Sequence, residues 1–471
     1  MKKKLLFIFS FLLFLTSCHG TLVPKGEKVI IDNSFKMPEE FDESKQYEIK
    51  FWAKNDNDKN QQKTYEKAVE EFEKIYPNVK VNIKQYTDYK DINADVITAL
   101  SNNTVPNICF TYPDYVASYK KGANVVYELD DFIDDENYGL GGTKLKFNAP
   151  KKSDMVAKFL EEGIIDGKQY TMPFMRSSEC LYFNKTYLVD NGFEIPEVFT
   201  WDYIWEICDY AYKKSVADGI PEFYPFIYKS SDNMFIELCY QNNNPYTNDK
   251  GEALLFNDSN TSMLLNLSDK VNNKLYEIFD RVSYPGNWMN KGLCIFAVDS
   301  TAGATWMGSG APNLDIKQEE VVQFETGVSI IPQVSTDNVK MISQGPSMCL
   351  FNSGDVQKDL ASWLFMQFLL TNDIQISYAK SEGYVPVTTL ATSSTEYQNY
   401  LESQFEYDVK IAATKVVLDN ISNTFVTPVF DGSSKARAAA AYLIKAVTSG
   451  RYTTKEKIEE LYKKTKNLYS I

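Results

Sequence analysis

Imidazole is almost missing from this chain: 471 residues contain a single histidine, His19. Ser-His-Asp and Cys-His nucleophile systems need an imidazole base, and HExxH zinc sites need two. The body of the protein is closed to both, because His19 stands beside an N-terminal processing site. Arginine is also scarce, at Arg176, Arg281, Arg437 and Arg451 only. Lys and Arg total 49 against 63 Asp and Glu, a formal net charge of −14. That balance argues against a nucleic-acid partner, since phosphate backbones call for a basic surface. There is no CxxC pair. Cys109, Cys180, Cys208, Cys239, Cys294 and Cys349 stand singly and far apart, mostly in apolar stretches. A metal site is not expected from them, and buried free thiols are. The run Gly139-Leu140-Gly141-Gly142 lacks the GxGxxG spacing of a dinucleotide fingerprint. No cofactor is expected. No internal repeat is visible. These absences leave open carboxylate-based chemistry, such as glycoside hydrolysis, and recognition without chemistry.

What is present begins at the N-terminus. Met1-Lys2-Lys3-Lys4 precedes an apolar run from Leu5 to Leu15. The run is short for a bilayer span and has the form of a secretory signal. It ends in Leu15-Thr16-Ser17-Cys18. Small residues before a cysteine resemble the lipobox of bacterial lipoproteins. That resemblance implies cleavage before Cys18, lipid on Cys18, and a protein held on the cell membrane facing outward. Residues 1–17 are then the signal peptide and 18–45 a polar, lipid-anchored tether.

From Tyr47 the pattern is α/β. Tyr47–Trp52 alternates as a strand, and Tyr65, Ala68, Val69 and Phe72 recur at helical spacing over 62–76. Val79, Val81 and Ile83 make a second strand. A helix is expected over 91–100, and a short buried strand over 107–110. Alternation of this kind predicts parallel sheet covered by helices, with ligand loops at the carboxyl ends of the strands. Trp52 and Asn55 end the first strand, and Tyr112 and Asp114 end the third. Trp52 is equally readable as core, and Asp114 as a helix N-cap. Thr200 is placed to cap a helix opening at Trp201.

The ordered segments resemble the sugar-type extracellular solute-binding lipoproteins of bacterial ABC importers. The resemblance rests on Phe51-Trp52, the Phe72–Val81 helix end and strand, and Pro106-Asn107-Ile108. It continues through Tyr170-Thr171-Met172-Pro173, Leu181–Lys185, Thr200-Trp201-Asp202 and Gly327–Pro332. The later segments are Ala361…Phe365…Thr371, Gly383-Tyr384-Val385-Pro386 and Ser449-Gly450-Arg451. It implies a two-lobe, type II binding-protein fold with a mixed sheet flanked by helices in each lobe and a cleft between them. The lobes would be 46–175 with 333–390, and 176–332 with 391–471, crossing near 174–177, 332–345 and 390. It also implies hinge closure on a carbohydrate, delivery to the membrane permease of an ABC importer, and a monomer without enzymatic activity.

Sugars call for aromatic platforms and planar polar groups. The aromatic content is 14%, with 31 Tyr, though position rather than abundance must decide. The predicted ligand-binding set is Trp52, Asn55, Tyr112, Asp114, Arg176, Ser177, Asp299, Ser300, Trp306, Gly345, Tyr384 and Arg437. Arg176 and Ser177 lie at the first crossing, where Arg176 is either a bidentate donor or a hinge ion pair. Asp299 and Ser300 follow a predicted strand at 294–298. Trp306 comes later than in the relatives, and Tyr384 lines the cleft or packs. Arg437 stands where the relatives present an aromatic, which with Arg176 leaves an anionic ligand, such as a glycerol phosphoester, open beside a neutral oligosaccharide. A secreted carboxylate-dependent glycosidase is the competing class.

Overall fold

The computed structural model describes residues 35–471 apart from 56–59, 121–124, 280–283, 313–314 and 404–407. The expected signal peptide and the expected lipid attachment at Cys18 fall outside the described residues. Among the described residues, no helix is long and apolar enough to cross a membrane.

Two five-stranded mixed sheets organise the chain. The first runs in the order Val79–Tyr86, Tyr47–Lys54, Ile108–Thr111, Ser347–Leu350, Met172–Pro173. Its first three strands are parallel and the last two pair antiparallel. The second runs Tyr276–Ile278, Phe226–Tyr228, Phe296–Ser300, Glu179–Asn184, Thr326–Ile330. There the first three strands are parallel and Glu179–Asn184 is antiparallel to both neighbours. Each sheet has its own core. Phe51, Phe72, Phe110 and Trp363 are fully buried in the first, and Phe226, Ile204, Leu443 and Ile458 in the second. The strand and helix expectations hold with shifted ends, as at Asn60–Ile75 and Tyr89–Asn102. Thr200 caps Trp201–Ala217 by accepting from the Tyr203 amide at 3.3 Å.

Three departures from the expected division are instructive. The tether ends earlier than residue 45. Phe35 and Phe41 are buried in the first core, and Phe35 stacks on Phe132 at 3.8 Å. Two aromatics spaced through a polar stretch are enough to bring it onto the domain. The third crossing comes after 390, because Ala391, Tyr397 and Leu401 belong to the first core. The crossing element is the helix Val409–Asp419, which gives Ile411 and Val417 to the first core and Ala413 to the second lobe. The expected strand at Cys294 starts later, at Phe296.

The first two crossings touch. Ser177 donates its amide to the Gln344 carbonyl at 2.7 Å and accepts from the Gln344 amide at 2.9 Å. Val385 and Pro386 pair antiparallel with Arg176 and Met175. Gly345 sits at φ +137, and a Cβ there would meet the Met175 carbonyl oxygen at 2.3 Å. Only glycine allows both the backbone conformation and the close approach. Gly345→Ala should cost about 2–3 kcal/mol of stability, measurable by urea unfolding.

Candidate functional site

The parallel strand Ile108–Thr111 points its carboxyl end toward the second lobe. Tyr112 stays extended there, and Pro113 opens the helix Pro113–Tyr119 with its fixed φ. Asp114 therefore sits in the first helical turn, its side chain mostly buried. Across the gap, Arg437 projects from the helix Ser433–Thr448. Its Nε lies 3.3 Å from Asp114 Oδ2, so the two lobes meet through an ion pair. The same guanidinium donates through Nη1 to Asp232 Oδ2 at 3.0 Å and to Asn233 Oδ1 at 2.9 Å. Those residues open the helix Ser231–Gln241 at the carboxyl end of the Phe226–Tyr228 strand. Burial works against the Arg437 charge, but Tyr246, Asp232 and Asp114 outweigh it and hold its pKa above the ordinary value. Asp114 Oδ1 is buried with no hydrogen-bond partner.

The network continues inward. Asn233 donates to Glu179 Oε1 at 2.8 Å, and the Tyr228 hydroxyl donates to Glu179 Oε2 at 2.6 Å. Burial pushes Glu179 up to about 8, against those two hydrogen bonds. The native state thus holds a proton that the unfolded chain releases above 4.5, the ordinary carboxyl value. Stability on this account is greatest at or below that value and falls as pH rises toward 8. Unfolding free energies across the range should drop by up to about 5 kcal/mol, and Glu179→Gln should flatten the profile. Glu237 shifts in the same direction through burial, and its Oε1 accepts from the Ile342 amide at 2.8 Å. Both acids are enclosed in protein, unlike a glycosidase acid, which must touch the scissile oxygen.

Arg176 does not face a ligand space. It is fully buried, donating to the carbonyls of Met175 (3.0 Å), Pro346 (3.2 Å) and Phe159 (3.1 Å) and to Ser347 Oγ (3.1 Å). Its Nη2 is also 3.1 Å from Glu162 Oε2. Arg176 ties the crossing strands together, which agrees with its reading as an ion pair at the crossing and corrects the reading as a ligand donor. Tyr384 is likewise core, buried against Tyr378 at 5.6 Å. Ser177 and Gly345 serve the hinge backbone.

Trp52 is half-buried on its strand, beside Tyr86 (5.7 Å) with Lys84 Nζ 4.8 Å from its ring. Asn55 caps the following helix, its Oδ1 accepting from the Gln62 amide at 3.0 Å. Ser300 caps the short turn Thr301–Trp306 by accepting from the Ala302 amide at 3.2 Å, and Asp299 accepts from the Ser300 amide at 2.7 Å. Trp306 ends that turn half-buried, its carbonyl packed on Gly286, where a Cβ would come within 2.2 Å.

Of the predicted set, the structure brings Asp114 and Arg437 together, with half-buried Tyr112 close by. Tyr112 packs with Tyr89 (4.8 Å) and Tyr115 (5.9 Å), an aromatic group beside the ion pair. An interlobe cavity of about 440 Å³ opens nearby, between Glu162 and Asp166 on one lobe and Lys250, Thr427 and Phe430 on the other. A larger opening, about 870 Å³ between Gly308–Pro312 and Asp408–Lys410, is lined by none of the predicted residues. Asp232, Asn233 and Glu162 were missed from sequence. For the first two a signal existed: the polar run Ser231-Asp232-Asn233 follows a buried strand, as Asp114 does.

A family model for bacterial extracellular solute-binding proteins matches residues 67–404. The chain belongs to that family. Among solved structures, UgpB from Mycobacterium tuberculosis, in complex with glycerophosphocholine, superposes with a TM-score of 0.69 at 15% identity. The match covers 90% of this chain and 98% of that one. Lmo0181 from Listeria monocytogenes, an ABC substrate-binding protein in complex with cycloalternan, gives 0.68 at 17% identity, covering 90% and 100%. Maltose-bound MalE3 of T. maritima gives 0.66 at 15%, covering 89% and 99%. These likenesses establish the two-lobe family fold. A Brucella abortus (strain 2308) chain, named by inference a binding protein, is 24% identical over 256 residues. That alignment takes in 53% of this chain and 58% of the relative's length.

Proposed function

We propose that the protein captures a neutral saccharide of oligosaccharide size between its lobes and passes it to the membrane permease of an ABC importer. It does so as a monomer, held to the outer face of the cell membrane through lipid on Cys18, and without hydrolysing its ligand. The observation that carries this reading is the interlobe ion pair of Asp114 and Arg437, with a buried, unpartnered acceptor at Asp114 Oδ1. A buried acceptor without a partner costs free energy until a donor reaches it. Sugar hydroxyls are donors, and Tyr112 and Tyr115 offer ring surface for a sugar's C–H face. The family membership and the sugar ligands named for several structural neighbours support the same class.

An anionic ligand fits less well. Both arginines on which it would depend already have acidic partners: Arg176 has Glu162, and Arg437 has Asp114 and Asp232. A thermal-shift screen of the purified protein against neutral oligosaccharides, uronates and sugar phosphates separates the cases. One neutral class at 100-fold its Kd should stabilise the protein by about 2.7 kcal/mol, with the saccharide recovered intact. A shift given only by phosphates or uronates would overturn the neutral assignment, and multiple turnovers on a chromogenic glycoside would overturn the binding role.

A further inference from the structure

Cys109 and Cys349 face each other in register across the antiparallel strands Ile108–Thr111 and Ser347–Leu350. Their sulfurs are 3.5 Å apart and both residues are fully buried. Directly opposed residues in an antiparallel pair have Cα atoms about 4.5–5.5 Å apart, inside the span of roughly 4.4–6.8 Å that disulfides occupy. Bringing the sulfurs into bonding range takes side-chain rotation on strands that already lie side by side. Two of the other body thiols have different partners: Cys239 donates to Asn260 Oδ1 at 3.3 Å, and Cys294 to the Phe296 carbonyl at 2.9 Å. An extracellular family member folds in a compartment where disulfides persist.

We propose that Cys109 and Cys349 form a disulfide as the chain folds outside the cytoplasm, a redox modification site in the sheet that carries Asp114. The oxidant is a small-molecule disulfide. One cysteine thiolate attacks it, releasing one small thiol and leaving a mixed disulfide. The second thiolate displaces the second small thiol, so two thiols are released for each protein S–S bond formed and both protein thiol protons are lost. The bond joins positions 240 residues apart, on either side of the first excursion into the second lobe. It fastens the strand leading to Asp114 to the strand following the Gly345 hinge. Burial pushes the Cys109 thiol well above its ordinary pKa, which disfavours the attacking thiolate once the sheet has closed and places the step during folding.

The test folds the full-length chain, in detergent, from denaturant in a glutathione redox buffer. Free thiols are then alkylated and the protein is digested without reduction for mass spectrometry. The expected product is one linked peptide pair containing Cys109 and Cys349, about 2 Da lighter than the two thiol peptides together. Reduction should lower Tm by about 5 °C or more in the wild type and leave a Cys109→Ala, Cys349→Ala double variant unmoved. Recovery of both cysteines as alkylated thiols from the folded wild type would overturn the proposal, as would a bond from either to a different cysteine.

Discussion

Arg176→Met should destabilise the protein by about 3–5 kcal/mol while the affinity of the folded protein for its saccharide stays close to that of the wild type. The side chain is fully buried, and it joins the Met175 and Pro346 carbonyls of the two crossing segments to the Phe159 carbonyl and Ser347. Its removal orphans those acceptors and leaves Glu162 buried without its cation. Glu162 already titrates above the ordinary range because of burial, with Arg176 pulling it back. A Glu162→Gln change in the Arg176→Met background should therefore recover part of the loss. Urea unfolding of wild type, Arg176→Met, Glu162→Gln and the double variant measures the coupling. Calorimetric binding on the same samples separates a hinge role from a ligand role: a collapse of affinity in well-folded Arg176→Met would return Arg176 to the ligand site.

The second large effect is expected at Arg437. Truncation to alanine leaves Asp114 and Asp232 facing the same space without the guanidinium between them. Removing one partner of a largely desolvated charge pair typically costs 2–5 kcal/mol or so, and here that cost falls on the arrangement in which Asp114 and Arg437 join the lobes, the one proposed to hold ligand. Affinity for the saccharide should fall by about 100-fold or more. Asp114→Asn should lose less, about tenfold, because the amide oxygen still accepts a hydrogen bond. In the absence of ligand, Arg437→Ala should give a larger radius of gyration by small-angle scattering, since the ion pair no longer draws the lobes together.

The physical reasons for what the sequence revealed differ from element to element. Alternation at Tyr47–Trp52 and helical spacing at Tyr65, Ala68 and Phe72 are local signals, and both elements formed with ends moved by a few residues. The rule that ligands gather at strand ends pointed to Asp114, which the structure has just past Ile108–Thr111, and the same rule on the second sheet points to Asp232 and Asn233. The pairing of Asp114 with Arg437 could not be read, because the two stand 323 residues apart and meet only through the packing of the lobes. Arg176 misled for a related reason. A rare arginine at a crossing looks like a ligand donor until the carbonyls around it are known. Phe35 and Phe41 lay in a stretch too polar on average to suggest docking, and only the first core's surface shows where they fit.

Calorimetric titration of wild type and Arg437→Ala with the neutral oligosaccharide that gives the largest thermal shift tests the interlobe site most directly. One saccharide should bind per wild-type chain and be recovered unhydrolysed, and the variant, its fold intact, should lose about 100-fold in affinity. Wild-type affinity in Arg437→Ala would contradict the interlobe site.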